Sequence, residues 1–269
     1  MEKWRQEAIE HFTRPWGERR GLEHMQFNGS SMLVSAPIEE LANSLENLAL
    51  ESKRNILGSS IENLGCFFLT YQLIGQHWSN ILSFDSCTPQ QPQKCNLPTE
   101  ARLSVILDKP VLQMNVSDGA GSIGYRLFEK GKIVEYFQAS EEDDYQVDNE
   151  YGLALQRHTL QPYPIDPRYP DEVLTQTAYF WARDHQVTAE DIDNIWNFAS
   201  LFLEKQDAYD PAFDFGDFLG NYSYKRGKRY QVSIPNSEMV LGYDEKTGRN
   251  QTITFEPEFV RVDYFRFGT

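Results

Sequence analysis

The sequence predicts an α+β protein in which an antiparallel sheet carries helices on one face. Two observations lead to this prediction. The first half alternates short apolar or aromatic runs with amphipathic helical patterns, and the second half follows a helical pattern with four strand-like runs. Elements in this order are typical of α+β folds. The simplest arrangement of the first half is the ferredoxin-like split β-α-β topology, with an extra strand or two at an edge.

The elements of the first half have ordinary start and stop signals. Residues 1–12 carry apolar side chains at helical spacing and predict an amphipathic N-terminal arm. Pro37, followed by Glu39 and Glu40, begins a helix with an apolar face. Pro98 begins a second helix, with four side chains predicted to face inward: Ala101, Leu103, Ile106 and Leu107. Strands are predicted at residues 32–35, 66–73, 77–84, 111–116, 124–129 and 132–137.

A glycine cluster lies inside residues 111–137, the densest strand signal of the chain. Gly119, Gly121 and Gly124 match the spacing G-x-G-x-x-G after a strand. The residues that follow are strand-like and contain a hairpin turn at Lys130-Gly131, whereas a dinucleotide site requires a helix there. We therefore interpret the cluster as a bend and expect no nucleotide cofactor.

The second half begins after an acidic and proline-bearing connection. Four prolines, at positions 162, 164, 167 and 170, predict a stiff, extended crossing. Asp171 begins a helix and residues 188–191 form a capping-box signal for the next, which predicts a helical hairpin. Strands follow at residues 229–234, 239–243, 251–255 and 259–267. The predicted division is an N-terminal helical arm (1–28), a sheet domain (29–138), the connection (139–170), and a helical hairpin with a C-terminal β subdomain (171–269).

Composition indicates a cytoplasmic protein. The chain has no apolar run near the roughly 18 residues that span a bilayer, and its first residues lack the apolar segment of a signal peptide. Cys66, Cys87 and Cys95 are an odd number in a long chain, so we expect three reduced thiols. Cys87 and Cys95 are close enough in sequence to pair. A zinc site is not predicted, because only His77 is close by.

Negative charge is concentrated in one region. The net charge is −15, and residues 138–220 contain 18 acidic against four basic residues, a difference of 14. This charge repels nucleic acid and anionic membranes, and it permits a cation, a basic protein or mimicry of a polyanion. It also argues against reading the helical hairpin as a DNA-binding motif. The compact basic cluster comprises Lys225, Arg226, Lys228 and Arg229, and we expect it to pair with the chain's own acidic half or to be a solvated hairpin turn.

Signals for catalysis are weak. The five histidines have no G-x-S-x-G partner motif, and no triad can be assigned. One acid pattern could bind a hard divalent cation through oxygen ligands: Asp207, Asp210, Asp214 and Asp217. It does not match the twelve-residue calcium loop. The preferred interpretation is a solvated loop whose phenylalanines, Phe213, Phe215 and Phe218, dock on the core.

The predicted function is a non-enzymatic, regulatory, adaptor or immunity-type interaction protein that binds a basic protein surface. The predicted partner-binding residues are the carboxylates Glu141, Glu142, Asp143, Asp144, Asp148 and Glu150. One alternative is a divalent-cation-dependent hydrolase that uses the four-aspartate loop, with His158 or His185 as acid–base. A second alternative is an acidic mimic of nucleic acid that inhibits a DNA-binding protein.

Overall fold

A computed structural model describes residues 9–10, 13–23, 28–85, 95–117, 122–140, 195–222, 226–244 and 249–268. The helices among them are a 3₁₀ turn at Trp16–Glu18, α1 (Ile38–Glu46), α2 (Glu100–Ile106), α3 (Ile195–Lys205) and α4 (Phe215–Leu219). The strands are β1 (Gly21–Leu22), β2 (Asn28–Val34), β3 (Glu51–Lys53), β4 (Ser60–Glu62), β5 (Phe67–Leu73), β6 (Ser79–Phe84), β7 (Val111–Ser117), β8 (Ser122–Glu129), β9 (Lys132–Ser140), β10 (Tyr209–Asp210), β11 (Arg229–Gln231), β12 (Ser237–Asp244), β13 (Arg249–Phe255) and β14 (Phe259–Arg266).

Eight of these strands form one antiparallel sheet, in the order β3-β14-β5-β6-β2-β7-β8-β9. The central four, β5-β6-β2-β7, have the order of a ferredoxin-like split β-α-β unit, with α1 between β2 and β5 in the chain and α2 between β6 and β7. The α+β prediction and this topology are confirmed. The sheet extends by β8 and β9 on one side and by β14 and β3 on the other.

The C-terminal strand joins the sheet of the first half. β14 pairs with β5 from Phe259↔Leu73 to Arg266↔Phe67, with an irregularity between Phe259 and Arg261. Both halves of the chain therefore share one continuous sheet. The fourfold domain division made from the sequence stays a prediction, although its last part contributes a strand to the sheet of its second.

Each face of the sheet has its own hydrophobic core. On the first face, α1 and α2 pack on alternate residues of the central strands and of β14, including Val34, Phe68, Val111 and Phe265. On the second face, the β5 side chains that point the other way, including Phe67, Leu69 and Tyr71, pack against the segment that contains α4. All seven residues of β5 are buried, because both faces of this strand are covered.

The two helices on the first face begin and pack for local reasons. α1 buries Ile38, Leu41, Ala42 and Leu45, which lie on one stripe of the helix. In α2 the hydroxyl of Thr99 accepts a hydrogen bond from the Arg102 N–H (3.3 Å), a standard N-cap. The prediction that Ile106 faces inward is wrong. Ile106 is 41% exposed, and Ser104 takes the inward position, where its hydroxyl receives the Gly131 N–H at 2.9 Å.

The predicted hairpins are confirmed. β8 and β9 join at Lys130-Gly131, whose φ angles are 50° and 79°. Positive φ at both positions is typical of the two-residue hairpin turns whose twist matches that of the flanking strands. β7 pairs with β8 from Val111↔Phe128 to Ser117↔Ser122, so the chain reverses into a strand near the glycine cluster. Residues 118–121 of that cluster lie outside the described residues. The short strands β3 and β4 lie outside the predicted strands and were missed.

Other predicted elements are covered only in part. Most of the N-terminal arm and the first helix of the predicted hairpin lie outside the described residues. The second helix of that hairpin is present as α3, and Phe202 and Leu203 on its predicted inward face are buried. Among the described residues, no helix is both long and apolar enough to cross a membrane.

If β14 carries part of the first core, Phe265→Ala will lower the free energy of unfolding by about 3–5 kcal/mol. Phe265 is fully buried and pairs in register with Phe68. Val260 on the same strand is 55% exposed, so Val260→Ala is the matched control and should change stability by less than about 1 kcal/mol. Urea unfolding of the purified variants measures both, and equal midpoints would contradict the packing described.

Candidate functional site

The acidic region, residues 138–220, leaves the sheet and returns to it at one edge. It begins at the end of edge strand β9 and re-enters the described residues at Ile195, the first residue of α3. α3 packs against β8, the neighbour of β9. The predicted partner-binding carboxylates lie between these points and outside the described residues: Glu141, Glu142, Asp143, Asp144, Asp148 and Glu150. The segment that contains them therefore follows β9 and precedes α3, a helix that packs against β8 and β1.

An aromatic stack fixes α3 to this edge. The rings of Phe202 in α3 and Tyr125 in β8 lie 3.6 Å apart between centroids, at an interplanar angle of 11°. Both side chains are buried, and the Tyr125 hydroxyl donates a 2.7 Å hydrogen bond to the Glu135 carboxylate of β9. A buried aromatic pair stabilises the contact by removing apolar surface from water. The hydrogen bond of the tyrosine hydroxyl also fixes the orientation of its ring.

The end of α3 docks on the N-terminal segment and on the β5–β6 turn. Asp207, with φ 54°, ends the helix and pairs with Arg20 at 2.5 Å. His77 Nε2 lies 4.0 Å from the same carboxylate, and both side chains are mostly exposed. The indole of Trp78 donates to the Gln206 carbonyl at 3.1 Å. Asp207 thus serves as one member of a docking contact between distant parts of the chain.

Asp210 lies at the centre of the second face and is almost fully buried. Its carboxylate accepts hydrogen bonds from the Ser31 hydroxyl of β2 and from the Ala212 N–H, the latter at 2.8 Å. Burial raises the pKa of Asp210, and these two hydrogen bonds oppose the rise. Burial also raises the pKa of Tyr71, with the charges of Asp210 and Asp217 adding to the effect.

Asp214 and Asp217 form the capping box of α4. The Asp214 side chain accepts from the N–H groups of Gly216 and Asp217, and the Asp217 side chain accepts from the Asp214 N–H at 2.7 Å. The helix that they begin carries Phe218 into the second core, where Phe213 is also buried and Phe215 packs at the margin. The predicted docking of these three phenylalanines is confirmed.

The four aspartates of the predicted cation site have separate contacts. Asp207 pairs with Arg20, Asp210 accepts from Ser31, and the other two cap a helix. Among the residues that the structure describes, one group of three or more cysteine, histidine and acidic side chains brings its ligand atoms within 4.8 Å of one another: Cys66, Asp85 and Cys95. The geometry gives no support to a four-aspartate cation site. His158 and His185 lie outside the described residues.

The cysteines differ from the prediction of three reduced thiols. Cys66, directly before β5, forms a disulfide with Cys95, with 5.8 Å between the Cα atoms. The physical reason is the hairpin register, since Phe67 pairs with Phe84 and places Cys66 beside the residue after β6. Cys95 then returns to this point after residues 86–94, which include Cys87 and lie outside the described part. The strands predicted at residues 66–73 and 77–84 are close enough in sequence to place Cys66 near the end of the second strand, whereas the spacing of the cysteines did not show the pairing.

The scaffold, meaning the described residues outside the acidic region, pairs its own charges. Glu39 accepts from Arg54 and Arg261, both at 2.6 Å, and these hydrogen bonds lower the pKa of Glu39. Other scaffold cations with a scaffold carboxylate within 4.0 Å are Arg19, Lys53, Lys109, Arg229 and Arg266.

Two members of the predicted basic cluster also have partners in the chain. Arg229 pairs with Glu62 at 3.6 Å, and Lys228 donates to the Asn221 carbonyl at 3.0 Å. Lys228 also lies 5.1 Å from the centre of the Tyr230 ring. Glu62 lies outside the acidic region, so this ion pair is not the predicted pairing with the acidic half, whereas the exposure of Lys228 and Arg229 agrees with a solvated turn. Lys225 lies outside the described residues.

Comparison with known proteins returned no match among protein-family models, curated proteins or solved structures.

Asp210 yields a prediction with a definite dependence on pH. Its folded-state pKa is raised, so the folded protein holds the proton to higher pH than the unfolded chain does. Stability should therefore fall as pH rises from the unfolded value, about 3.9, through the folded value. Asp210→Asn keeps the shape without the charge, so its stability relative to wild type should increase as the pH rises above about 4.

Asp210→Ala should instead destabilise the protein by about 1–3 kcal/mol at every pH, because the Ser31 hydroxyl and Ala212 N–H lose their acceptor. Urea unfolding at several pH values measures both variants, and Glu256→Gln, an exposed carboxylate, is the control. A constant difference between wild type and Asp210→Asn would show that Asp210 does not titrate as described.

Proposed function

We propose that the protein is a cytoplasmic, non-enzymatic interaction protein whose acidic region binds a basic surface on a partner protein. The observation that carries this proposal is the position of the charge. Residues 138–220 hold an excess of 14 carboxylates in a chain whose net charge is −15. A concentrated field of one sign attracts a surface of the opposite sign and repels polyanions.

The charge pairing of the scaffold supports the proposal. Seven scaffold cations already lie within 4.0 Å of scaffold carboxylates, from Arg19 with Glu23 to Arg266 with Glu51. Between a scaffold cation and the acidic region, Arg20 pairs with Asp207 at 2.5 Å. These seven cations are thus already engaged within the scaffold, and we infer that a partner supplies further positive charge to the region.

The attachment of the region also suits a binding role. The region starts at β9, which pairs with β8, and returns at α3, which the Tyr125–Phe202 stack joins to β8. A segment fixed at both ends loses less conformational freedom on binding than a free tail does. We therefore infer that the scaffold presents the acidic region and that residues 141–150 supply carboxylates to the interface.

The proposal predicts that removing charge inside the region weakens binding more than removing charge elsewhere. The test variant carries Glu141→Gln, Glu142→Gln, Asp143→Asn and Asp144→Asn. The partner is first captured on immobilised wild-type protein, identified by mass spectrometry and purified. Affinity is then measured by biolayer interferometry, and we expect a loss of about tenfold or more, since each exposed ion pair contributes roughly 0.2–1 kcal/mol.

The matched control removes four exposed scaffold carboxylates and so has the same net charge: Glu18→Gln, Asp108→Asn, Glu256→Gln and Glu258→Gln. We expect this variant to bind like wild type to within about threefold. Equal losses in the two variants would mean that net charge alone matters. Equal retention in both would rule out the acidic region as the binding surface. A captured DNA-binding protein that duplex DNA displaces would favour the nucleic-acid mimic instead.

Raising salt should weaken the same complex mainly by slowing association. Electrostatic steering is screened over about 8 Å at physiological ionic strength, so the association rate constant should fall as salt rises while the dissociation rate constant changes less. The charge-neutralised test variant should show a shallower salt dependence than its matched control. Association that is independent of salt for the wild type would contradict an electrostatic interface.

A further inference from the structure

The open end of the β5–β6 hairpin brings three metal-ligating side chains together. Cys66 directly precedes β5 and Asp85 directly follows β6, and the pair Phe67↔Phe84 sets them beside one another. Cys95 completes the group, in which one ligand atom from each residue lies within 4.8 Å of the others. Cys66 is buried, Cys95 is half-buried and Asp85 is exposed, so the group is open to solvent on one side.

The Asp85 carboxylate can accept a hydrogen bond from Cys66 when Cys66 is a thiol, but not when Cys66 is part of a disulfide. Its Oδ1 lies 3.6 Å from Cys66 Sγ. A disulfide sulfur carries no proton, so this contact is a hydrogen bond only when Cys66 is reduced. A carboxylate next to a thiol also disfavours the bare thiolate, because the two negative charges repel each other. A cation between them reverses that effect, since it binds both groups in their charged forms.

The donor set indicates which cation fits. Two thiolates select soft or borderline ions, and a carboxylate is a ligand that Zn²⁺ also accepts. Tetrahedral zinc with Zn–S bonds of about 2.3 Å places two sulfurs about 3.8 Å apart, within the span of this group. Three protein ligands leave one position for water.

We propose that Cys66, Cys95 and Asp85 bind Zn²⁺ when the two cysteines are reduced, and that the Cys66–Cys95 disulfide releases the ion. A dithiol or phosphine reductant supplies two electrons to the S–S bond, which breaks as two protons add to the sulfurs. Zn²⁺ then displaces those two protons and binds both thiolates. On oxidation the two thiolates give two electrons to a disulfide oxidant, the S–S bond re-forms and the ion leaves. The site is independent of the proposed interaction through the acidic region.

The test measures zinc on the full-length protein in both redox states. Protein reduced with tris(2-carboxyethyl)phosphine is incubated with Zn²⁺, passed through gel filtration and analysed by native mass spectrometry. We expect equimolar zinc on the reduced protein and none on the oxidised protein. Reduced protein with Co²⁺ in place of Zn²⁺ should show thiolate-to-metal charge-transfer absorption. Zinc absent from reduced protein, or equal in both states, would overturn the proposal.

Variants identify the ligands. Cys66 is buried and its replacement could disturb folding, so the test uses Cys95→Ser and Asp85→Asn. Each should weaken zinc binding by roughly 100-fold, the upper end of the loss caused by removing an outer-shell partner. Cys87→Ser and Asp108→Asn are the matched controls and should bind like wild type. Loss of zinc in Cys87→Ser, or full retention in Cys95→Ser or Asp85→Asn, would show that the ligand set is wrong.

Discussion

The pairing of β14 with β5 is the constraint on which the rest of the structure depends. β5 is buried on both faces, and β14 supplies one of its two neighbours in the sheet. Alternate residues of β14 enter different cores, Phe265 on the helical face and Tyr264 on the other. The buried carboxylate of Asp263 receives the Asn55 N–H at 2.9 Å and pairs with Arg261, so the same strand also holds a loop in a left-handed turn. One strand from the end of the chain thus organises both layers.

Buried polar contacts fix the position of the segment that packs on the second face. Apolar packing alone would allow this segment more than one orientation. The Ser31–Asp210 hydrogen bond joins β2 to β10 across 179 residues of sequence. The Trp78 indole reaches Gln206, and Arg20 reaches Asp207, so the same segment is held at neighbouring points. A buried carboxylate is expensive unless it is hydrogen-bonded or neutral. The pKa of Asp210 is raised because the effect of burial exceeds that of the two hydrogen bonds to its carboxylate. Those hydrogen bonds, from Ser31 and Ala212, fix the position of the side chain.

Local patterns predicted much of the fold. Aromatic and apolar runs identified β5 to β9, and the order of strands and helices was sufficient for the split β-α-β unit. The Lys130-Gly131 turn depends on neighbouring residues, which is why it could be predicted from the sequence, whereas the short helix α4, which Asp214 caps, lies in a stretch that was predicted as loop. Long-range strand pairing could not be derived in this way, because no residue pattern within β14 identifies β5 as its partner. Pairing is decided by which surfaces become buried.

The chemistry of the candidate sites was less accessible to sequence reasoning. Asp210 resembles its acidic neighbours in sequence, yet it is buried while Asp207 and Asp214 are exposed, and only tertiary packing separates them. Cys66 looked like an isolated buried thiol because its partner lies 29 residues away. The sequence analysis did not use the positions of these residues in the β5–β6 hairpin. The strand register sets Cys66 beside Asp85.

A folded scaffold that pairs part of its own charge and presents a strongly acidic region is the central physical idea. It is tested most directly by cross-linking the purified complex with a carbodiimide, which joins carboxylates to lysines in direct contact. Peptide mass spectrometry should place most intermolecular cross-links at Glu141, Glu142, Asp143, Asp144, Asp148 and Glu150, joined to lysines of the partner. Cross-links that fall mainly on scaffold carboxylates such as Glu256 and Glu258, with none in residues 138–220, would contradict it.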